Sequence, residues 1–136
     1  MIGRNHLLPV SEFVAERKEC KEIVQGLFGL NQLEFEVFCS LNLLRRADIQ
    51  TIMNHVGRKD RTRVNRSLNR LLELDLITRK KERSDEGTLR YYYYPIDLQT
   101  LQSRLEHLLE NWYAHAIEEI RSIPNHFIEL ERNSTK

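Results

Sequence analysis

The sequence predicts a mainly α-helical fold with one small β-hairpin, and three observations support this prediction. Between residues 11 and 74, apolar side chains recur at the three- and four-residue spacing of amphipathic helices. Residues 76–95 then contain two strand-like segments around the polar loop SDEGT, a pattern typical of a β-hairpin. A long run of helical spacing follows Pro95. The expected order is four helices, a hairpin and a long final helix.

The first two helices follow an N-terminal arm of residues 1–10. The first should run from about Ser11 to Gln25, with a stripe formed by Phe13, Cys20, Val24 and Leu27. The second should cover residues 31–44, because Asn31 followed by Glu34 is a capping arrangement. Its buried stripe would be Leu33, Val37, Phe38, Leu41 and Leu44. We expect Arg45 and Arg46 in its last turn, where cations complement the helix dipole.

The third and fourth helices are short and closely spaced. Asp48 is expected to cap the third helix, and Gly57 suits the left-handed residue that ends it. Asp60 should cap the fourth helix, which extends to about Leu74 before the chain turns at Asp75. On the fourth helix, one face is apolar, with Val64, Leu68, Leu71 and Leu72. The opposite face presents Thr62, Arg63, Arg66, Asn69 and Arg70, so it can be offered to an anionic partner.

The tyrosine run and the last helix complete the pattern. Tyr91 to Tyr94 allow two interpretations, a stacking platform for unpaired bases or alternate side chains packed on the core, and the second is favoured. Asp97 is expected to cap a long helix that ends at Pro124. That helix has an apolar seam, which predicts pairing with a second helix. The seam consists of Leu101, Leu105, Leu108, Trp112, Ala116, Ile120 and Ile123.

Charge is unevenly distributed, although the net charge of the chain is only +1. From Arg45 to Arg90 there are 13 Lys or Arg against 7 Asp or Glu, while the other residues have 8 against 13. A localised basic face is the electrostatic footprint of a phosphate-binding surface. Taken alone, the same charges could equally form a solvated helix face.

Several function classes lack support in the sequence. Cys20 and Cys39 form no CxxC pair, and Cys39 is interpreted as a buried apolar residue and not as a redox sensor. The five histidines have no metal-ligand spacing, and no phosphate loop or catalytic constellation is visible. We therefore expect no enzyme, no metal and no cofactor. The absence of a signal peptide or membrane span predicts a cytoplasmic protein.

The second, third and fourth predicted helices, followed by a two-stranded hairpin, have the order of a winged helix-turn-helix domain. In such a domain the last helix before the hairpin enters the major groove of DNA. The segment ADIQTIMNHVGRKDRTRVNRSLNRLLELDLITRKKE and the upstream GLNQLEFEVFCSL resemble the DNA-binding domain of TrmB-like and MarR-like regulators of archaea and bacteria. The matching features include Gly57, the residues 62–65 before the Leu-rich helix end, and Leu76 with Ile77. A Gly usual in the family is Asp75 here. The sequence also does not reach a sugar-binding domain, so sugar sensing is not expected.

The resemblance implies three parts and a set of DNA contacts. Residues 1–28 form an arm and helix, residues 29–96 the DNA-binding domain, and residues 97–136 a dimerisation helix and tail. On the fourth helix, base recognition is expected from Thr62, Arg63 and Arg66, with Asn65, Asn69 and Arg70 behind them. Arg61, at the start of that helix, is expected to contact a phosphate. In the turn and wing, the expected contacts are Arg58, Lys59, Arg79, Lys80, Lys81, Arg83 and Arg90. The acidic tip, Asp85 and Glu86, is not expected to bind.

The predicted function is a sequence-specific regulator that binds double-stranded DNA as a homodimer through its N- and C-terminal helices. Two alternatives remain open at this point. The same fold can be a protein-interaction module in a transcription or replication assembly, or a non-specific chromosomal DNA-binding protein. No residue set indicates a small-molecule effector, a membrane partner or the identity of the operator.

Overall fold

A computed structural model of the chain describes residues 18–134, with side chains described from residue 20. These residues contain five helices and one two-stranded antiparallel sheet. In chain order the elements are α1 (Lys18–Phe28), α2 (Gln32–Leu44), α3 (Ile49–Val56), α4 (Arg61–Glu73), β1 (Ile77–Arg83), β2 (Leu89–Pro95) and α5 (Leu98–Ser134). They fall into two compact units, with the boundary between Leu101 and Gln102. The mainly α fold class with a small wing is confirmed.

The helix ends follow the predicted capping residues. The Asn31 side chain accepts a hydrogen bond from the Glu34 amide at 2.8 Å, and the Glu34 carboxylate accepts one from the Asn31 amide at 2.9 Å. Asp48 caps α3 in the same way, and Gly57 ends it in the left-handed conformation with φ of 69°. Local side-chain to backbone bonds therefore define the start of α2, α3 and α4, as the sequence predicts.

Two predicted boundaries on α1 and α2 need adjustment. Helix α1 continues to Phe28, three residues beyond the predicted end, while Ser11 to Arg17, including Phe13, lie outside the described residues. Arg45 and Arg46 are not in the last turn of α2, because the helix ends at Leu44. Arg45 is the capping residue, with φ of 71°, so the backbone has already turned away from helical geometry there.

The core of the first unit lies where α2, α3, α4 and the hairpin meet. Val37, Leu41 and Ile52 are fully buried, as are Leu76 and Ile77 at the entrance to β1. Leu76 and Ile77 are adjacent, yet both are buried, because the strand begins under the helices and becomes exposed from Thr78 onward. The apolar stripes of the helices thus form one common core, which orders the helix-turn-helix and its wing.

The hairpin pairs Ile77 with Pro95 and Arg83 with Leu89 in regular antiparallel register. Tyr92 and Tyr93 are both buried, so consecutive tyrosines pack on the protein and the expectation of alternate packing is wrong. The physical reason is that the hairpin is covered on both sides at this point. Tyr93 exchanges two backbone hydrogen bonds with Ala47, at 3.2 and 2.8 Å, which attaches the α2–α3 connection to β2.

Arg46 contacts the face of the hairpin that carries Tyr92 and Glu82. Its guanidinium lies 3.7 Å from the centre of the Tyr92 ring and donates to the Glu82 carboxylate at 2.9 Å. The Tyr94 hydroxyl donates to the same carboxylate at 2.7 Å. These hydrogen bonds, first from Tyr94 and then from Arg46, lower the pKa of Glu82 below its usual range. The wing is therefore held by a charged network in addition to its apolar base.

Helix α5 begins as expected, since the Asp97 side chain accepts from the Thr100 amide at 2.8 Å. It does not end at Pro124, however, and continues to Ser134 with that proline inside. A proline removes only one helical amide donor, and the residues that follow can resume helical bonding one turn later. None of the helices among the described residues has the length and apolar character that a membrane span requires.

The conformation of Arg45 gives a test of backbone strain. A non-glycine residue at positive φ costs about 1 kcal/mol, so Arg45→Gly should raise the free energy of unfolding by roughly that amount. Chemical denaturation monitored by circular dichroism measures the change. Arg45→Ala is the matched control, because it removes the same exposed side chain but keeps the Cβ atom. Equal stability of the two variants would contradict the strain argument.

Candidate nucleic-acid interface

Helix α4 is the second helix of the helix-turn-helix, and it is buried along one face and exposed along the other. Its side chains Val64, Leu68 and Leu71 have no exposed surface, and Ser67 beside them is buried as well. Asp60 starts the helix by accepting a hydrogen bond from the Arg63 amide at 3.2 Å. Because three positions of one stripe are completely buried, rotation of α4 about its axis is fixed, and its opposite face must point to solvent.

The predicted DNA contacts of α4 lie on that solvent face, with one exception. Arg61, Thr62, Arg63, Asn65, Arg66 and Asn69 are all exposed. Arg70 is only half-exposed, and its guanidinium lies 3.7 Å from where a Cβ atom on Gly29 would be. Arg70 therefore points toward the α1–α2 connection. The face available to a partner is concentrated in the first two turns of α4, residues 61–69.

The turn before α4 contributes two cations in different situations. Arg58 is paired with Glu36 of α2 at 3.0 Å, whereas Lys59 is exposed at the turn. The hydrogen bonds from Gln32 and then Arg58 lower the pKa of the Glu36 carboxyl. Glu36 thereby holds the Arg58 guanidinium against the body of the domain. The pair joins the turn to α2, so the Arg58 guanidinium is already engaged by a carboxylate of its own domain.

Three wing cations from β1 lie over tyrosine rings of β2. Arg79 is 4.4 Å and Lys81 is 5.7 Å from the centre of the Tyr91 ring, and Lys80 is 5.2 Å from the Tyr94 ring. Arg79 and Lys81 belong to one face of the hairpin and Lys80 to the other, as the register requires. Aromatic stacking restrains these flexible side chains, so both faces of the wing present ordered positive charge.

The cations nearest the wing tip are tied to nearby groups. Arg83 donates to the Gly87 carbonyl at 3.0 Å across the turn. Arg90 pairs with Asp48 at 3.0 Å and lies 3.6 Å from Glu86. The Asp48–Arg90 pair is the more sheltered of the two, since the Asp48 side chain is largely buried. It joins the start of α3 to the wing.

Asp48 both pairs with Arg90 and caps α3. One carboxylate oxygen accepts from Arg90, and the other accepts a hydrogen bond from the Thr51 amide at 2.9 Å. Burial raises the pKa of the Asp48 carboxyl, but the hydrogen bonds from Thr51 and Arg90 and the charge of Arg90 outweigh burial. The net pKa therefore lies below the ordinary value, and Asp48 remains ionised. Its negative charge orients Arg90 toward the start of the helix-turn-helix.

A cleft of about 610 Å³ opens between the wing and the first turns of α3 and α4. Gln50 lines it from α3, Arg61 and Asn65 from α4, and Arg90 and Tyr91 from β2. The predicted DNA contacts include three of these residues. They do not include Gln50, or Tyr91, for which packing on the core was the favoured interpretation. Gln50 is one residue into a capped helix whose N-terminus faces the partner, a signal that was available. The position of Tyr91 beside the cleft depends on the register of the hairpin, which only the folded chain defines.

The second unit carries the predicted seam along α5. Trp112, Ile120 and Ile123 are 55%, 59% and 44% exposed. The other seam residues, Leu101, Leu105, Leu108 and Ala116, are half-buried. Three further large apolar side chains, Leu109, Phe127 and Leu130, are exposed at positions that extend the same stripe, two of them beyond Pro124. A long apolar stripe with several exposed members is typical of a helix that pairs with another chain.

The cysteine and the potential metal ligands of the described residues show no arrangement of their own. Burial raises the pKa of the half-buried Cys39 thiol, which disfavours the reactive thiolate. Within residues 18–134, no three His, Cys, Asp or Glu side chains form a cluster able to hold a metal ion. Chemistry is therefore concentrated in the arginine-rich face and the cleft beside it.

Comparisons with known proteins agree with this geometry. The family model described as "Sugar-specific transcriptional regulator TrmB" matches residues 24–99, more than half of the chain. An uncharacterized protein of Methanocaldococcus jannaschii is 28% identical over 107 residues, which cover 76% of this chain and 88% of the relative. The family match confirms the resemblance inferred from the sequence. It also confirms the expectation that the chain is not an enzyme, since the family consists of regulators.

Two solved structures share the fold. A possible transcriptional regulator from Methanosarcina mazei Go1 superposes with a TM-score of 0.66 and 16% identity, covering 76% of this chain and 87% of that one. A protein of the thermoacidophilic archaeon Sulfolobus tokodaii gives a TM-score of 0.60 and 18% identity, covering 73% and 96%. At these identities the likeness establishes the architecture.

The Asp48–Arg90 pair predicts a pH dependence of stability. A carboxyl whose pKa is lower in the folded than in the unfolded chain stabilises the fold above its unfolded pKa of about 3.9, and this contribution disappears as pH falls through the folded value. Asp48→Asn keeps a good cap but loses the charge pair. It should lower the free energy of unfolding at about pH 7 by about 1 kcal/mol and flatten the decline between about pH 5 and pH 2.

Urea denaturation across that pH range measures the effect. Asp97→Asn is the matched control, because Asp97 caps α5 with a similarly lowered pKa but without an arginine partner. Identical losses at neutral pH in the two variants would show that the negative charge at a helix N-terminus, and not the ion pair with Arg90, accounts for the stability.

Proposed function

The chain belongs to the TrmB family of DNA-binding transcriptional regulators, and we propose that it recognises a specific duplex sequence as a homodimer. The observation that carries the proposal is the geometry of α4. Its apolar stripe is completely buried, and Arg63 and Arg66 are exposed on the opposite face near the helix N-terminus. In a helix-turn-helix, these early positions of the second helix lie closest to the base edges in the major groove.

The residue types on that face suit base recognition. Arg63 and Arg66 can each bind guanine through two hydrogen bonds, and Asn65 or Asn69 can bind adenine in the same manner. Thr62 can contact a base or a thymine methyl group. Each good contact of this kind contributes about 1 to 3 kcal/mol of discrimination. We therefore assign sequence selectivity to residues 62–69.

The other cations have the positions expected of phosphate contacts. Lys59 and Arg61 flank the start of α4, and Arg79, Lys80 and Lys81 are restrained on the wing by tyrosine rings. Phosphate contacts orient a protein on the duplex and supply affinity that falls steeply with salt. The acidic tip, Asp85 and Glu86, is unsuited to the minor groove, so the strands of the wing and not its tip should bind the backbone.

Dimerisation supplies the second half of the proposed mechanism. The stripe on α5 exposes Trp112, Ile120 and Ile123, and an identical stripe on a second copy is the matching partner. The partly exposed Ile23 on α1 is a candidate for an additional contact. A two-fold dimer with two α4 helices one DNA turn apart, about 34 Å, would recognise a palindromic operator.

Specific binding predicts a clear result for the recognition helix. Selection from random duplexes should enrich one palindromic motif, and Arg63→Ala or Arg66→Ala should each weaken binding to that motif by about 5- to 150-fold. Non-specific binding to unrelated duplex should change much less. Fluorescence anisotropy at about 0.15 M salt measures both. Arg121→Ala is the control, since it removes an arginine from α5, which is outside the proposed DNA interface.

The alternatives give different outcomes. Enrichment of no motif, together with an equally steep salt dependence on every sequence, would indicate a non-specific chromosomal protein. Failure to bind duplex DNA at any salt concentration, with capture of a stable protein partner, would indicate an interaction module instead.

The proposed dimer gives a separate prediction. Placing charge in the stripe, as in Trp112→Glu with Ile120→Glu, should convert dimers to monomers at micromolar concentration, because buried unpaired carboxylates are costly. Sedimentation velocity measures the mass, and operator affinity should fall at least about tenfold because avidity is lost. His107→Glu on the opposite side of α5 should remain dimeric. A wild-type chain that sediments as a monomer would contradict the proposal.

A further inference from the structure

The cleft between the wing and α4 has features that base recognition leaves unused. It is lined from three elements, α3, α4 and β2, and lies beside the exposed face that contains Arg63 and Arg66. A duplex whose major groove receives the first turns of α4 must pass one of its two backbones close to this cleft. The charges and hydrogen-bond donors of the lining residues decide whether the cleft binds that backbone or only lies near it.

The lining charge favours an anion at the mouth of the cleft. Arg61 and Arg90 contribute two cations and Asp48 one carboxylate. The Asp48 carboxylate is already engaged by the Thr51 amide and by Arg90, and its side chain is only 12% exposed. The Arg90 guanidinium also lies 3.6 Å from Glu86, whose side chain is 79% exposed. With five N–H groups, it has donors left for a further acceptor on its exposed side. Asp48 thus positions Arg90 without filling the cleft.

Tyr91 is the neutral member of the same group. It is 43% exposed and lines the cleft, while Arg79 and Lys81 lie against its ring. Two of the neighbouring tyrosines are buried, and the Tyr94 hydroxyl is engaged by Glu82. Within residues 18–134, the Tyr91 hydroxyl has no hydrogen-bond partner. A restrained ring with an unused donor, in a cleft that Arg61 and Arg90 also line, is a suitable arrangement for binding a phosphate oxygen.

We propose that this cleft is a phosphodiester site, in which Arg61 and Arg90 supply charge and the Tyr91 hydroxyl donates a hydrogen bond to one backbone phosphate. Asp48 acts as a positioning residue by directing Arg90 toward that phosphate. The site rests on the proposed function, because a phosphate reaches the cleft only when α4 lies in the major groove. It would fix the register of the duplex relative to Arg63 and Arg66 and add affinity independent of base identity.

The test compares Tyr91→Phe with Tyr113→Phe, a tyrosine that is 63% exposed on α5. On the selected operator, Tyr91→Phe should weaken binding about fivefold, and by a similar factor on unrelated duplex, with an unchanged salt slope because no charge is removed. Arg90→Ala should reduce the slope by about one released counterion. Tyr113→Phe should leave both quantities unchanged, and a thermal melt checks that all variants are folded.

A series of duplexes, each with one phosphate replaced by an uncharged methylphosphonate, locates the contact. At one phosphate in each half-site, the substitution should weaken the wild-type protein, and Tyr91→Phe should cause no further loss on that duplex. The proposal is overturned if Tyr91→Phe binds like the wild type, or if its losses add to those of every methylphosphonate.

Asp48→Asn separates positioning from structure. Because asparagine is also a good cap, the variant should retain the fold, yet its salt slope should fall toward that of Arg90→Ala. An unchanged slope would overturn the positioning role. The proposed function fails separately: it is lost if Arg63→Ala and Arg66→Ala leave the affinity for the operator unaltered, whatever Tyr91 does.

Discussion

The buried stripe of α4 is the constraint on which the rest of the structure depends. Val64, Leu68 and Leu71 have no exposed surface, so α4 cannot rotate or slide without opening a cavity in the core. The same constraint directs Arg63 and Arg66 to solvent. A flexible arginine gains specificity only when its backbone is fixed, and here hydrophobic packing on one side of the helix fixes the chemistry on the other.

The wing is related to α4 by a small number of polar links. Arg46 joins the α2–α3 connection to Tyr92 and Glu82, Asp48 joins the start of α3 to Arg90, and Ala47 bonds to the backbone of β2. A two-stranded hairpin alone would be only marginally stable in water. These links attach it to the helices of the first unit. They also explain why acidic residues occur within a surface that is otherwise basic, because the carboxylates orient cations.

The long helix α5 differs from α4 because large apolar side chains on it are exposed to solvent. Its apolar stripe combines exposed and half-buried side chains and continues past Pro124, where the sequence predicted that the helix ends. An uncovered apolar surface of this extent is unfavourable in water, and pairing of two copies would remove it. Association and DNA recognition are then linked, because a dimer binds two half-sites with a single loss of translational freedom.

Much of this protein was determined by its sequence alone. Helical spacing, caps such as Asn31 and Asp60, and the glycine at residue 57 specify the order of helices and hairpin, because these signals act within a few residues. The same spacing separates the buried face of α4 from its arginines. Tertiary structure decided the rest: that Arg70 turns toward Gly29, that Tyr92 and Tyr93 are both buried, and which cations are paired. Those outcomes depend on side chains distant in sequence, such as Asp48 and Arg90, which only the completed fold brings together.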